Sequence, residues 1–171
     1  MKHRIACLVV GFLSLALSFQ TASAAPVTGK RLNLSGASFI CANQSQTGTC
    51  SLAEFDVALG YLANAKGTWV ATVSLPGGTV VATLTLCGQF NEVGSSITAT
   101  LDSIPLTAAV GFPSAVPMAS IQSTGASNQT QCFTTKTIAN ATINNKNNQY
   151  YVVVVVPDND GVNFTSVQIE Y

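Results

Sequence analysis

The chain has 171 residues, 47% of them hydrophobic and only 8% charged, and its seven Lys and Arg balance seven Asp and Glu. This length suits one domain with a full core. So little charge leaves no basic patch to release counterions from a phosphate backbone, which argues against nucleic acid as a partner.

The first segment, 1–24, reads as a secretory signal peptide. Lys2, His3 and Arg4 form a positive start, Ile5 to Phe19 an apolar run, and Ala22-Ser23-Ala24 a small-x-small cleavage site. The apolar run is shorter than the roughly 20 residues a membrane span needs. Cleavage would leave a mature domain of residues 25–171, secreted or periplasmic, with no membrane span. It would also remove Cys7 and His3, the one histidine. The mature chain then has five cations against seven anions, a formal charge of −2. Without imidazole, histidine-dependent triads and His-rich metal centres are not expected.

Segments of strand character follow in order. Leu32–Leu34 and Ala37–Ala42 form a first pair across Ser-Gly. Cys41 and Cys50 flank a polar loop with turn chemistry. Four cysteines in an exported chain imply a disulfide framework with three connectivities. The short loop favours Cys41–Cys50, which leaves Cys87–Cys132. A zinc site would want a C-x₂₋₄-C pair, which is missing. Residues 51–63 are ambiguous. Ser51 and Glu54 resemble a capping box, yet Phe55, Val57, Leu59 and Tyr61 alternate, and the reading leans to strand.

Thr68–Leu75 and Thr79–Cys87 are strands either side of a Pro76-Gly77-Gly78 turn, and Ile97–Leu101 alternates. Val110–Ser120, broken by Pro113 and Pro117, is loop or edge. Phe133–Ile143 is a further strand, followed by a polar turn over residues 144–148. Gln149–Val156 and Val162–Tyr171 form a strand and its return. The unbroken run Val152–Val156 calls for a central strand in a sheet covered on both sides. Many short strands with Gly, Pro and Asn turns make the fold class all-β: a single disulfide-stapled β-sandwich or barrel.

The stretch Val73-Ser-Leu-Pro-Gly-Gly-Thr-Val80, together with Gln149-Tyr-Tyr-Val152 and Val167-Gln-Ile-Glu-Tyr171, resembles a class of exported bacterial domains of about 150 residues. Those carry a Leu-Pro-x-Gly-Ala turn and a closing Val-x-Ile-x-Tyr strand. The resemblance covers about residues 52–171 and implies a jelly-roll-like sandwich. It offers no catalytic residues. Gly78 stands where the pattern prefers an acidic or small residue before alanine.

Candidate chemistry is sparse, and no cofactor is expected. Glu54 and Asp56 could pair on one strand face as a glycosidase pair would, although such pairs are common on strands. Asp158-Asn159-Asp160-Gly161 resembles the start of a calcium loop. It lacks the downstream bidentate Glu and reads better as a turn. Trp69, Tyr150 and Tyr151 are candidates for a stacking surface, with Tyr150 and Tyr151 on opposite faces of one strand. Asn33, Asn43, Asn128, Asn140 and Asn163 open Asn-x-Ser/Thr sequons.

These features favour an exported non-enzymatic module that binds a glycan or protein surface or serves a structural role. A small outer-membrane β-barrel and a carboxylate-dependent hydrolase are the alternatives.

Overall fold

A computed structural model describes residues 29–42, 50–51, 54–56, 61–63, 66–90, 96–106, 114–125, 127–156 and 162–171. The segment 1–24, with its expected cleavage site, and the Asp158-Asn159-Asp160 turn lie outside the described residues. The described strands are β1 (Arg31–Ser35), β2 (Ile40–Cys41), β3 (Cys50–Ser51), β4 (Glu54–Asp56), β5 (Tyr61–Ala63) and β6 (Lys66–Val73). They continue with β7 (Thr83–Phe90), β8 (Thr98–Pro105), β9 (Val116–Gln122), β10 (Ser127–Thr135), β11 (Asn148–Val156) and β12 (Val162–Glu170).

These strands form two sheets packed as a β-sandwich. One, the anterior sheet, runs β10-β7-β12-β5-β4, with β1 also paired to β12. The other, the posterior sheet, runs β2-β6-β11-β8-β9, with β3 also paired to β6. Every strand pair is antiparallel. The chain passes repeatedly from one sheet to the other, as jelly-roll-like connections do. Among the described residues the two sheets stay separate, and apolar side chains fill the space between them. A membrane barrel instead turns its apolar band outward.

Alternation builds the core. In β7, Leu84, Leu86 and Phe90 point inward, and in β11 Tyr150, Val152, Val154 and Val156 do. Trp69, Ala71 and Val73 of β6, Ala99 and Leu101 of β8, and Met118 and Ala119 of β9 extend the posterior lining. Phe39 meets Phe164 edge-on, with ring centroids 4.9 Å apart at 88°. This is the perpendicular arrangement that ring quadrupoles favour.

In β12, Phe164 lies opposite Gly88 and Ser166 opposite Cys87, so Thr165 is an extra, bulged residue. The bulge shifts the alternation by one, which lets Phe164 and then Val167 and Ile169 all face the core. The backbone closes in at this point. A Cβ on Gly88 would sit 2.8 Å from the carbonyl oxygen of Asn163, so only glycine fits there without a shift.

Two disulfides staple the sandwich: Cys41–Cys50, which ties β2 to β3, and Cys87–Cys132. The second joins directly opposed residues of β7 and β10.

Several pairings differ from expectation. β1 and the segment after it do not pair. A 3₁₀ turn at Gly36–Ser38 carries the chain from β1, beside β12 in one sheet, to β2, beside β6 in the other. The Pro76-Gly77-Gly78 turn, with Gly78 at φ +82, likewise joins β6 to β7 across the sheets. β11 and β12 are not a hairpin either, because each is flanked within its own sheet by other strands. The strand expected over Phe133–Ile143 stops at Thr135, and beyond it only Thr142 bridges to Val80. Residues 54–56 and 61–63 are paired strands, as alternation suggests. β9, carrying Pro117, is an edge strand, the place in a sheet where proline is tolerated.

Candidate functional site

β11 is central, between β6 and β8, but its outward face is open. Val155 is 45% exposed, and Tyr151 and Val153 are half-buried. The expectation of a sheet covered on both sides therefore fails for this face. Register extends the apolar strip sideways, since Val153 opposes Val70, which opposes Ile40, itself 63% exposed.

The three aromatic candidates separate. Trp69 is 4% exposed and Tyr150 3%, so neither ring offers a stacking surface. The Trp69 indole N–H donates to the Lys66 carbonyl at 3.1 Å, and Tyr150 Oη accepts the Asn144 N–H at 2.7 Å. Burying these polar tips requires such partners. Tyr151 alone of the three keeps its ring at the surface. Its hydroxyl donates to Gln149 Oε1 at 2.6 Å, which lays the side chain along the strand.

Tyr151 borders a groove of about 320 Å³ that also takes in Thr72, Ser74, Asn145, Asn148 and Gln149. The polar turn that forms one wall is well fixed. Asn145 Nδ2 donates to the Leu75 carbonyl at 2.8 Å, the Leu106 N–H to the Asn147 carbonyl at 2.7 Å, and the Asn148 N–H to the Asn144 carbonyl at 3.0 Å. The described lining carries amides, hydroxyls, one half-buried phenol and the half-exposed side chain of Leu106, and no charged side chain. Such a surface can accept and donate hydrogen bonds and present an aromatic face. It has no group suited to proton transfer near neutral pH.

Asp102 lies opposite Tyr151 in β8 and is only 8% exposed. Its Oδ2 accepts from Thr100 Oγ1 at 3.4 Å, while Oδ1 has no hydrogen-bond partner among the described residues. Burial pushes this carboxyl above its ordinary value, against the smaller opposing effect of the Thr100 hydroxyl. The folded state therefore holds the proton more tightly than the unfolded chain. Stability should fall as pH rises from the ordinary Asp range through the raised folded value, and stay level above it. Asp102→Asn should remove that slope and leave the domain as stable, or slightly more stable, near neutral pH. Thermal melts of both proteins from acid to neutral pH check this. A clear loss of stability in Asp102→Asn at neutral pH would show that the carboxylate is held by a favourable partner.

The carboxylate pair proposed for strand chemistry lies elsewhere. The backbones of Glu54 and Asp56 lie in β4, at the far edge of the anterior sheet. The described residues contain no group of three or more His, Cys, Asp or Glu able to hold a metal. No described helix is long and apolar enough to cross a membrane.

No protein-family model matches the chain, and no curated protein does. Among solved structures, the chain is similar to the CBM36-1 domain of a multidomain xylanase from the hindgut metagenome of Trinervitermes trinervoides. That likeness has 16% identity and a TM-score of 0.45, and covers 82% of this chain and 96% of the other.

The groove was only partly visible in the sequence. Thr68, Val70 and Thr72 share one parity in β6 and Trp69, Ala71 and Val73 the other, so alternation alone could have placed Trp69 inside. No local signal brings Asn145 beside Thr72.

Proposed function

We propose that this chain is an exported, non-enzymatic binding module that holds a neutral glycan in the groove beside Tyr151. The observation that carries the reading is Tyr151 itself, an aromatic ring left at the surface among uncharged amides and hydroxyls. Sugars present apolar C–H faces that pack on aromatic rings, and hydroxyls that pair with side-chain amides. The fixed turn beside the ring supports binding because little side-chain and loop freedom is lost on association. Export is supported by the segment 1–24 and by the two disulfides, which persist in oxidising compartments.

Calorimetric titration of the mature domain with neutral oligosaccharides tests the site. Tyr151→Ala should weaken binding about tenfold, equivalent to ~1.4 kcal/mol, with an unchanged melting temperature. Equal affinity in parent and variant would move the site elsewhere. Hydrolysis of any polymer, lost in Glu54→Gln with the fold retained, would replace the non-enzymatic reading by the hydrolase. Recovery from the periplasm or medium supports export, and retention in the cytoplasm opposes it.

The strip formed by Ile40, Val70, Val153 and Val155 favours a second reading, in which the same face meets a protein surface. Substitution of Val155 by a charged residue would then abolish attachment while sugar titrations stay silent.

A further inference from the structure

We infer that the outward face of the anterior sheet carries a separate binding site for a carboxylate-bearing oligosaccharide. The face is ordered in cross-strand rows. Arg31 of β1 opposes Glu170 of β12, which opposes Thr83 of β7. Extending the Thr135↔Leu84 register by one residue brings Lys136 beside Thr83. The next row sets Gln168 against Thr85, and Thr85 against Thr134. Below it lies the Cys87–Cys132 bridge, which fastens edge strand β10 to β7 and so holds the Lys136 bank in place. Together these residues line a groove of about 290 Å³.

In a chain with 8% charged residues, two cations on the two banks of one groove are a concentration of charge. Arg31 and Lys136 stand three strand spacings apart, about 14 Å. That span suits an oligomer better than a single small anion. A guanidinium can grip a carboxylate through two parallel hydrogen bonds, and an ammonium can meet one as a point charge. Between the banks, the floor is hydroxyl and amide. Thr85 Oγ1 and Thr134 Oγ1 share a hydrogen bond of 2.8 Å, and Thr83 Oγ1 donates to Glu170 Oε2 at 3.5 Å. Such a floor pairs with sugar hydroxyls. Aromatic and purely aliphatic side chains are absent from the described lining, which favours a ligand held by polar contacts. Glu170, in the middle, opposes an acidic ligand and sets the sign of the sharpest test.

The experiment titrates the mature domain with an oligogalacturonate, by calorimetry and by NMR shift changes at low and high salt. Oligoglutamate controls for charge alone, and a neutral oligosaccharide marks the separate Tyr151 groove. Arg31→Gln and Lys136→Gln should each weaken oligogalacturonate binding about tenfold, and Arg31→Lys should retain part of it. Glu170→Gln should tighten it a few-fold by removing a like charge. Raising salt from about 0.02 to about 0.2 M should weaken it markedly, as exposed charges are screened. Tyr151→Ala should leave it unchanged, which separates this site from the Tyr151 groove. Four results would overturn the inference: no binding by the parent, indifference to both cation variants, weaker binding in Glu170→Gln, or oligoglutamate binding as tightly as the sugar acid.

Discussion

Val154→Asp should yield no folded domain. Val154 is fully buried in β11, between Trp69 of β6 and Ala99 of β8. A carboxylate there would lose its hydration without gaining a partner, or would take up a proton at a cost of several pKa units. Either cost is comparable with the whole stability of a domain this size, about 5–15 kcal/mol. Circular dichroism and size-exclusion chromatography of the oxidised protein provide the check. A cooperative melt near the parental temperature would mean that β11 is not a central strand. Val155→Asp is the matched control. That side chain is 45% exposed, so the same charge one residue along should leave the fold intact.

Phe164→Ala should cost about 3–5 kcal/mol, the range for emptying a large buried aromatic site. Phe164 is fully buried and packs edge-on against Phe39. It also stands beside the Thr165 bulge, opposite Gly88, where the backbone has little room to collapse into a cavity. Denaturant unfolding of the parent, both single variants and the Phe39→Ala/Phe164→Ala double variant measures the coupling. The pair should interact by about 0.5–1.5 kcal/mol beyond their separate burial. Strict additivity would mean that the two rings do not depend on each other.

The strands themselves were largely legible, because β-branched residues and period-two alternation are local signals. β11 and β12 could be bounded within a residue or so. The partners of these strands were not legible. Whether Val162–Glu170 returns beside β11 or crosses to the opposite sheet depends on contacts far apart in the chain, and the turn that joins them reads the same in both cases. The exposure of Tyr151 was half legible. Adjacent tyrosines must face opposite ways, but in Val152–Val156 both parities are valine, so nothing local tells inside from outside. Ile40, Val70 and Val153 show the same limit: three ordinary strand residues become one outward strip only once the register is known. Arg31 and Lys136 are remote in sequence and meet across a groove only because β1, β12, β7 and β10 lie side by side.

Lys30 and Tyr171 exchange two backbone hydrogen bonds of 2.9 Å, at the open end of the β1–β12 ladder. Antiparallel bonds lie perpendicular to their strands. A tether pulling on these two residues in opposite directions would therefore load the ladder one bond at a time, from Arg31–Glu170 toward Ser35–Ser166, as a zip opens. The same force applied between Lys30 and the far end of β12 would act along the strands and strain every bond of the ladder together. Pulled at Lys30 and Tyr171, the ladder should peel at low force with β1 leaving first, whereas pulled across its length it should resist in shear.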